Sequence, residues 1–209
     1  MTEVEAAPAE LFLAGTGSFA VEVAEWAEDA GWKIAGLVEL LELSRVGTSR
    51  DGRPVVAPDS PPDGTPVVIA AGGSRREHWL RLSGFGWHGA TVVHPGAHAS
   101  PSARLGGGCV LAPGAVVGAE AVLGEHTLVS RGALIGHHVR VGAFVSLMPG
   151  ANVGGHVELG EDTTVGMGAV IVNGTSIGPG CTVAAGAVVL HDVDGGSRVQ
   201  GVPARKFPA

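Results

Sequence analysis

His137 and His138 are the side chains whose type and placement first point to chemistry. They follow Gly136 in Leu134-Ile135-Gly136-His137-His138-Val139, where a chain corner would carry them outward and away from an apolar interior. Imidazole titrates close to neutrality, so an outward histidine can take a proton from an attacking amine or hydroxyl. An exposed corner histidine without a role fits the same position. A transfer of that kind needs little more than a base in reach and a donor for any oxyanion that forms. Glu120 precedes His138 by eighteen residues and His156 follows it by eighteen. A carboxylate from Glu120, or Glu125 of a neighbouring chain, could orient the base, whereas a charged second imidazole would oppose it. The histidine column also raises zinc. Adjacent histidines do not readily converge on one ion, and no metal is expected.

A second candidate site lies near the start. Leu11 to Gly15 reads as a short buried strand running into Gly15-Thr16-Gly17-Ser18-Phe19-Ala20, a G-x-G-x-x-A pattern. A helix over Ala20–Ala30 and a strand over Lys33–Glu39 complete a βαβ unit, with Glu39 nineteen residues past Ala20. Glycines there let the backbone approach phosphate, and the helix N-terminus favours its charge. A tight strand-to-helix turn would need the same glycines. Residues 44–66 read as loop with a short strand at Val55-Val56, 66–71 as a strand, and 74–82 as a helix carrying Arg75 and Arg76. Either arginine could meet phosphate or simply face solvent. Residues 84–89 read as a turn. About 90 residues with few strands is half of a dinucleotide domain, enough for one nucleotide.

The elements that must carry the histidines announce themselves by period. From Val93 to Val189 every sixth residue is aliphatic, seventeen in all, without a slip of phase. Two places earlier stands a small or β-branched residue, from Ala97 through Cys109 and Cys181 to Ala187. Glycine often follows the aliphatic one, as at Gly106, Gly136 and Gly160. A fixed period this long marks a repeat architecture. Six residues suit a flat strand and a corner, with glycine expected to supply the positive φ of the bend. Three sides close a coil of eighteen, and coils stack edge to edge at about 4.8 Å. The two cysteines are then four coils, about 19 Å, apart, beyond disulfide reach.

Three stretches carry a resemblance: 134–139, Gly142-Ala143-Phe144-Val145-Ser146-Leu147-Met148-Pro149-Gly150-Ala151, and Gly201-Val202-Pro203-Ala204-Arg205-Lys206. With the order of nucleotide unit, Thr91-Val92-Val93-His94-Pro95 and repeat, nearly the whole chain resembles the hexapeptide-repeat acyltransferases. The similar branch is that of nucleotide-sugar N-acetyltransferases and sialic acid O-acetyltransferases. The resemblance implies a small N-terminal α/β Rossmann-like βαβ domain over residues 1–90. It implies a left-handed parallel β-helix over 91–193, a hand that spacing could not reveal, and a tail over 194–209. It also implies a homotrimer with acetyl-CoA as co-substrate and a nucleotide-linked amino sugar as acceptor. His137 would be the base, with His138 and Glu120 beside it. Ser146, Met167 and Ala185 would contact acetyl-CoA, with Arg205 and Lys206 at its phosphates. Gly15, Thr16, Gly17 and Glu39 match the nucleotide-sugar site. Two positions depart from the family: His138 replaces an acidic residue, and Ser146 replaces a histidine, although serine can still donate to a carbonyl oxygen. The competing readings are O-acetylation of a sialic-acid-like sugar, and a weakened trimer that binds nucleotide sugar or serves structurally.

Composition sets the outer bounds. The chain has 209 residues, 35 glycines, no tyrosine and a formal charge of −7. Acidity argues against nucleic acid as a partner. Glycine without a three-residue period excludes collagen. All four tryptophans precede residue 90, which marks a seam. An acidic start (Glu3, Glu5) and the lack of a long apolar run argue against a signal peptide and a membrane span. A cytoplasmic location is expected.

Overall fold

The structure, a computed structural model, describes residues 10–61 and 64–207; the acidic start with Glu3 and Glu5 lies outside them. Chain order gives β1 (Leu11–Ala14), α1 (Ser18–Asp29), β2 (Ile34–Val38), β3 (Ser49–Arg50), β4 (Arg53–Val56), β5 (Pro66–Ile69), α2 (Arg75–Ser83) and β6 (His88–Gly89). These strands form one sheet in the order β3-β4-β2-β1-β5-β6. All its pairs are parallel except β3 with β4. The sheet is richer than expected: the loop predicted over 44–66 contributes β3 and a four-residue β4, and the predicted turn contributes β6. Helix α2 starts where Ser74 caps it, its hydroxyl accepting from the Glu77 amide at 3.2 Å.

From Val92 onward two-residue strands recur every six residues and stack as three parallel sheets, the faces of a prism. The first face begins at Val92–Val93, the second at His98–Ala99, the third at Arg104–Leu105. Partners sit eighteen residues apart, as in Leu128 with Ser146 and Leu134 with Asn152, until the last coil, where Thr182 pairs with Arg198. This is a parallel β-solenoid. From Leu111 on the periodic aliphatic residues are buried, and Cys109 and Cys181 lie in the core as free thiols. Each buried aliphatic side chain contributes about 2 kcal/mol of transfer free energy. Val93, Ala99 and Leu105 are only partly buried because the first coil has no neighbour below. The last coil is covered by strand Arg198–Gln200, which pairs with Thr182–Val183 and then turns back through Arg205–Lys206.

The corners correct one expectation. Positive φ does not fall on the glycine that follows the aliphatic residue; it falls two residues later. At the corner after the first face that later position is glycine (Gly114, Gly132, Gly150, Gly168, Gly186). At the other two corners it is often a residue with a side chain: Glu120, His126, His138, Phe144, His156 and Asp162, with φ between 54° and 61°. Each of these costs about 1 kcal/mol relative to glycine. The earlier glycine has a different duty. A Cβ on Gly160 would lie 2.3 Å from the Pro179 nitrogen, and one on Gly106 2.6 Å from the Glu125 nitrogen, because backbones of successive coils nearly touch there.

The N-terminal sheet and α1 pack on the first face of the early coils. Val92, Val110 and Leu128 point outward yet are buried in one cluster with Val23, Ala24 and Trp26. Helix α2 lies along the corner after the third face. There Arg75 donates to the His126 carbonyl at 2.7 Å, Trp79 stacks 4.1 Å from the His126 ring, and Arg76 pairs with Glu161 and Asp162. Among the described residues no helix is long and apolar enough to cross a membrane.

Candidate active site

The corner after the second face carries a column that runs up successive coils: Glu120, His138 and His156, with His137 beside them. Stacking follows from the eighteen-residue register. Glu120 Oε2 lies 3.1 Å from His138 Nε2. His138 Nδ1 lies 3.1 Å from His137 Nδ1. The His138 and His156 rings stack at 4.7 Å, and His137 meets both edge-on. The His137 ring lies over Gly155, where a Cβ would come within 2.8 Å of its Nε2. Gly155 thus keeps the ring in place by having no side chain.

With both rings neutral, these distances select one set of tautomers. A carboxylate only accepts, so His138 Nε2 carries the proton that Glu120 receives. A neutral His138 then has a lone pair on Nδ1, and His137 must donate to it from its own Nδ1. That leaves the His137 Nε2 lone pair free, as a general base requires. A charged second imidazole was expected to oppose a base, with Glu120 as the compensating acid; in place, His138 links His137 to the Glu120 carboxylate one coil below.

The remaining candidates fall into two groups elsewhere. Ser146 points outward from the first face and is half-buried. Met167, 56 % exposed, and Ala185 stand on adjacent coils at the corner after the first face, where the Gly186 amide donates to the Met167 carbonyl. The turn at Gly201 continues that column, by the register of Val183 with Val199. Lys206 is tied to Asp194 at 2.6 Å, and Arg205 is exposed beside it. Within one prism the corner that bears His137 is opposite the first face, so one chain does not bring Ser146 and His137 together. A shallow hollow on the third face, lined by Arg140, Glu158, Ser176 and Asp192 among others, contains none of the three histidines.

In the N-terminal unit Gly15 needs both its φ of 135° and its lack of a Cβ, which would meet the Ala70 carbonyl oxygen at 2.7 Å. Thr16 is buried and donates to Glu39 Oε2 at 2.5 Å, while Glu39 Oε1 accepts from the Leu41 and Glu42 amides. Burial pushes the Glu39 carboxyl up, but the Thr16 hydroxyl, these amides and Arg45 outweigh it and hold it below the usual range. Glu39 therefore shapes the glycine loop from within. Two residues that spacing did not reveal stand at the same loop: Arg45 beside the Thr16 hydroxyl at 3.4 Å, and Arg50 on the Thr16 carbonyl. Both come from the segment read as loop, where no periodicity marks a partner.

A family model described as bacterial transferase hexapeptide (six repeats) matches residues 156–191. No curated protein sequence matches the chain. Among solved structures, the acetyltransferase domain of PglB from Neisseria gonorrhoeae is 31% identical, with 96% of this chain and 100% of that one covered and a TM-score of 0.86. The chain belongs to the hexapeptide-repeat acetyltransferases. Perosamine N-acetyltransferase from Caulobacter crescentus, solved as a histidine-to-asparagine mutant with CoA and GDP-perosamine, is similar at 27% identity. It covers 97% of this chain and 99% of its own, with a TM-score of 0.88. WeeI from Acinetobacter baumannii shares the fold at 24% identity, over 96% of this chain and 100% of that one, with a TM-score of 0.82. This hexapeptide-repeat acetyltransferase is thus an acyltransferase whose fold continues across its whole described length.

Proposed function

We propose that this acyltransferase moves the acetyl group of acetyl-CoA onto the amino group of a nucleotide-linked amino sugar, with His137 as base. The observation that carries the reading is the hydrogen-bonded chain Glu120–His138–His137, which leaves a lone pair on His137 Nε2. It is supported by the PglB domain, solved with acetyl coenzyme A, and by the perosamine enzyme, solved with a nucleotide-linked amino sugar. The amine nitrogen attacks the thioester carbonyl carbon. The C–N bond forms, the C–S bond breaks, and the thiolate leaves. The amine proton passes to His137 Nε2 and from there to the sulfur.

We read residues 1–90 as a Rossmann-like half-domain for the nucleotide, 91–193 as a left-handed β-helix and 194–209 as a tail. Gly15, Thr16 and Gly17 would present the N-terminus of α1 to phosphate, with Glu39 holding the loop and Arg45 and Arg50 adding charge.

A homotrimer would join the two separated groups. The second face is the apolar one outside, with Val116 36% and Leu134 40% exposed, whereas the third carries Arg104, Arg140 and Glu158. Three prisms that turn their second faces to a common axis place the His137 corner of one chain beside the Met167–Ala185 corner of the next. Acetyl-CoA would lie in that cleft, with the Ser146 hydroxyl donating to the thioester oxygen and Arg205 and Lys206 near the phosphates. Thiol release from acetyl-CoA with a panel of nucleotide amino sugars tests the whole reading. Wild type should turn over, and His137→Ala should lose roughly 10²- to 10⁴-fold in kcat. The acetylated product should survive mild base, as an amide does and an ester does not. Release by wild type that no sugar stimulates would defeat the proposal.

A further inference from the structure

The histidine corner also gathers three imidazoles within reach of one ion. One ligand nitrogen from each of His137, His138 and His156 lies within 4.8 Å of the other two. The Nδ1 atoms of His137 and His138 are 3.1 Å apart, close to the edge of about 3.3 Å in a tetrahedron with Zn–N bonds of about 2.0–2.1 Å. Adjacent histidines were not expected to converge readily on one ion, yet here their Nδ1 atoms meet. His138 takes a φ of 60° at the bend, and the two rings stand perpendicular, at 88°. His156, one coil above, brings its ring centroid to 4.9 Å from His137 and 4.7 Å from His138. Glu120 accepts from the far nitrogen of His138, the outer partner that a metal-bound imidazole ordinarily has. His137 and His156 are exposed, so an ion would enter directly from solvent.

We infer that His137, His138 and His156 form a site for a zinc-like divalent cation, and that its occupation switches off the base. Imidazole favours zinc, cobalt and nickel; magnesium and calcium prefer oxygen ligands. His138, donating from Nε2 to Glu120, already holds the required tautomer, with its Nδ1 on the side of His137. His137 must present its own Nδ1 lone pair to the ion, so its single ring proton moves from Nδ1 to Nε2. No proton leaves the protein, but Nε2 becomes an N–H and can no longer receive one from an amine. Three protein ligands leave a fourth position for water. The switching half of this inference rests on His137 as base; the binding half does not.

Untagged protein, stripped with a chelator and dialysed, is titrated with Co²⁺ and then Zn²⁺, followed by visible absorption and equilibrium dialysis. One ion per chain should bind at micromolar metal, with tetrahedral cobalt bands that Zn²⁺ abolishes and Mg²⁺ does not. His156→Asn retains a residue tolerant of positive φ and should weaken binding by roughly tenfold or more, as should Glu120→Gln. His191→Asn, three coils above, should bind as wild type does. Circular dichroism confirms that each variant is folded. No binding at micromolar metal, or equal binding by wild type and His156→Asn, overturns the site. Acetyl transfer by wild type, followed by product mass, should fall at least tenfold on saturation with Zn²⁺. Full activity with the ion bound overturns the switch, and with it the tautomer assigned to His137, while the site stands.

Discussion

Glu120 reaches His137 only through His138, so under the proposed mechanism its removal separates orientation from proton transfer. Glu120→Gln keeps the shape and removes the charge. The expected result is a fall in kcat of about tenfold, with the acidic limb of the pH–rate profile moved to lower pH. Steady-state rates across pH check it, and an unchanged profile detaches Glu120 from the base. The stacking of Glu120, His138 and His156 was legible because a strict six-residue phase converts sequence spacing into spatial neighbours. Arg45 and Arg50 were not legible. Their contact with Thr16 comes from tertiary folding of an irregular segment, which leaves no pattern in the chain.

At the scale of the element, the corners separate two duties of glycine that the sequence alone merges. Gly160→Ala places a methyl group against backbone that cannot retreat and should cost about 1–3 kcal/mol. Gly132→Ala has open space but a φ of 63°, and should cost about 1 kcal/mol. Thermal melts of the two variants give the order, and a smaller loss for Gly160→Ala would undo the assignment. The docking of α2 makes a second prediction. His126 is buried beside Arg75, its Nδ1 has no hydrogen-bond partner among the described residues, and burial with that neighbouring charge pushes its pKa down to about 4. In the unfolded chain it titrates near 6.5, so between these values the unfolded state binds more protons. Stability from this residue is therefore full above about pH 6.5 and lost as pH falls through 4, of order 2–3 kcal/mol in total. Urea unfolding at pH 7 and pH 4.5 measures it; equal midpoints would show that His126 is protonated as easily folded as unfolded. Neither this seam nor the β3–β4 hairpin could be read beforehand, because each depends on contacts between segments of different period.

The second face of the solenoid is an uncovered apolar flank, and the trimer reading requires that flank to be filled. Leu134→Glu should convert a trimer to monomer in sedimentation velocity, and activity should fall with it, since the cleft needs two chains. An active monomer would mean that the acyl donor lies elsewhere. The solenoid itself was the most legible level, because each coil repeats the same local bargain of inward aliphatic, small residue and corner.

Because within the solenoid each coil pairs only with the coils above and below it, eighteen residues are the natural quantum of growth. Duplication or deletion of one whole coil between the histidine corner and the tail would leave every remaining side chain in phase. It would change only the height, by about 4.8 Å, and with it the length of linear donor that the cleft could span. An insertion whose length is not a multiple of six would break the inward aliphatic phase of the wall beyond it.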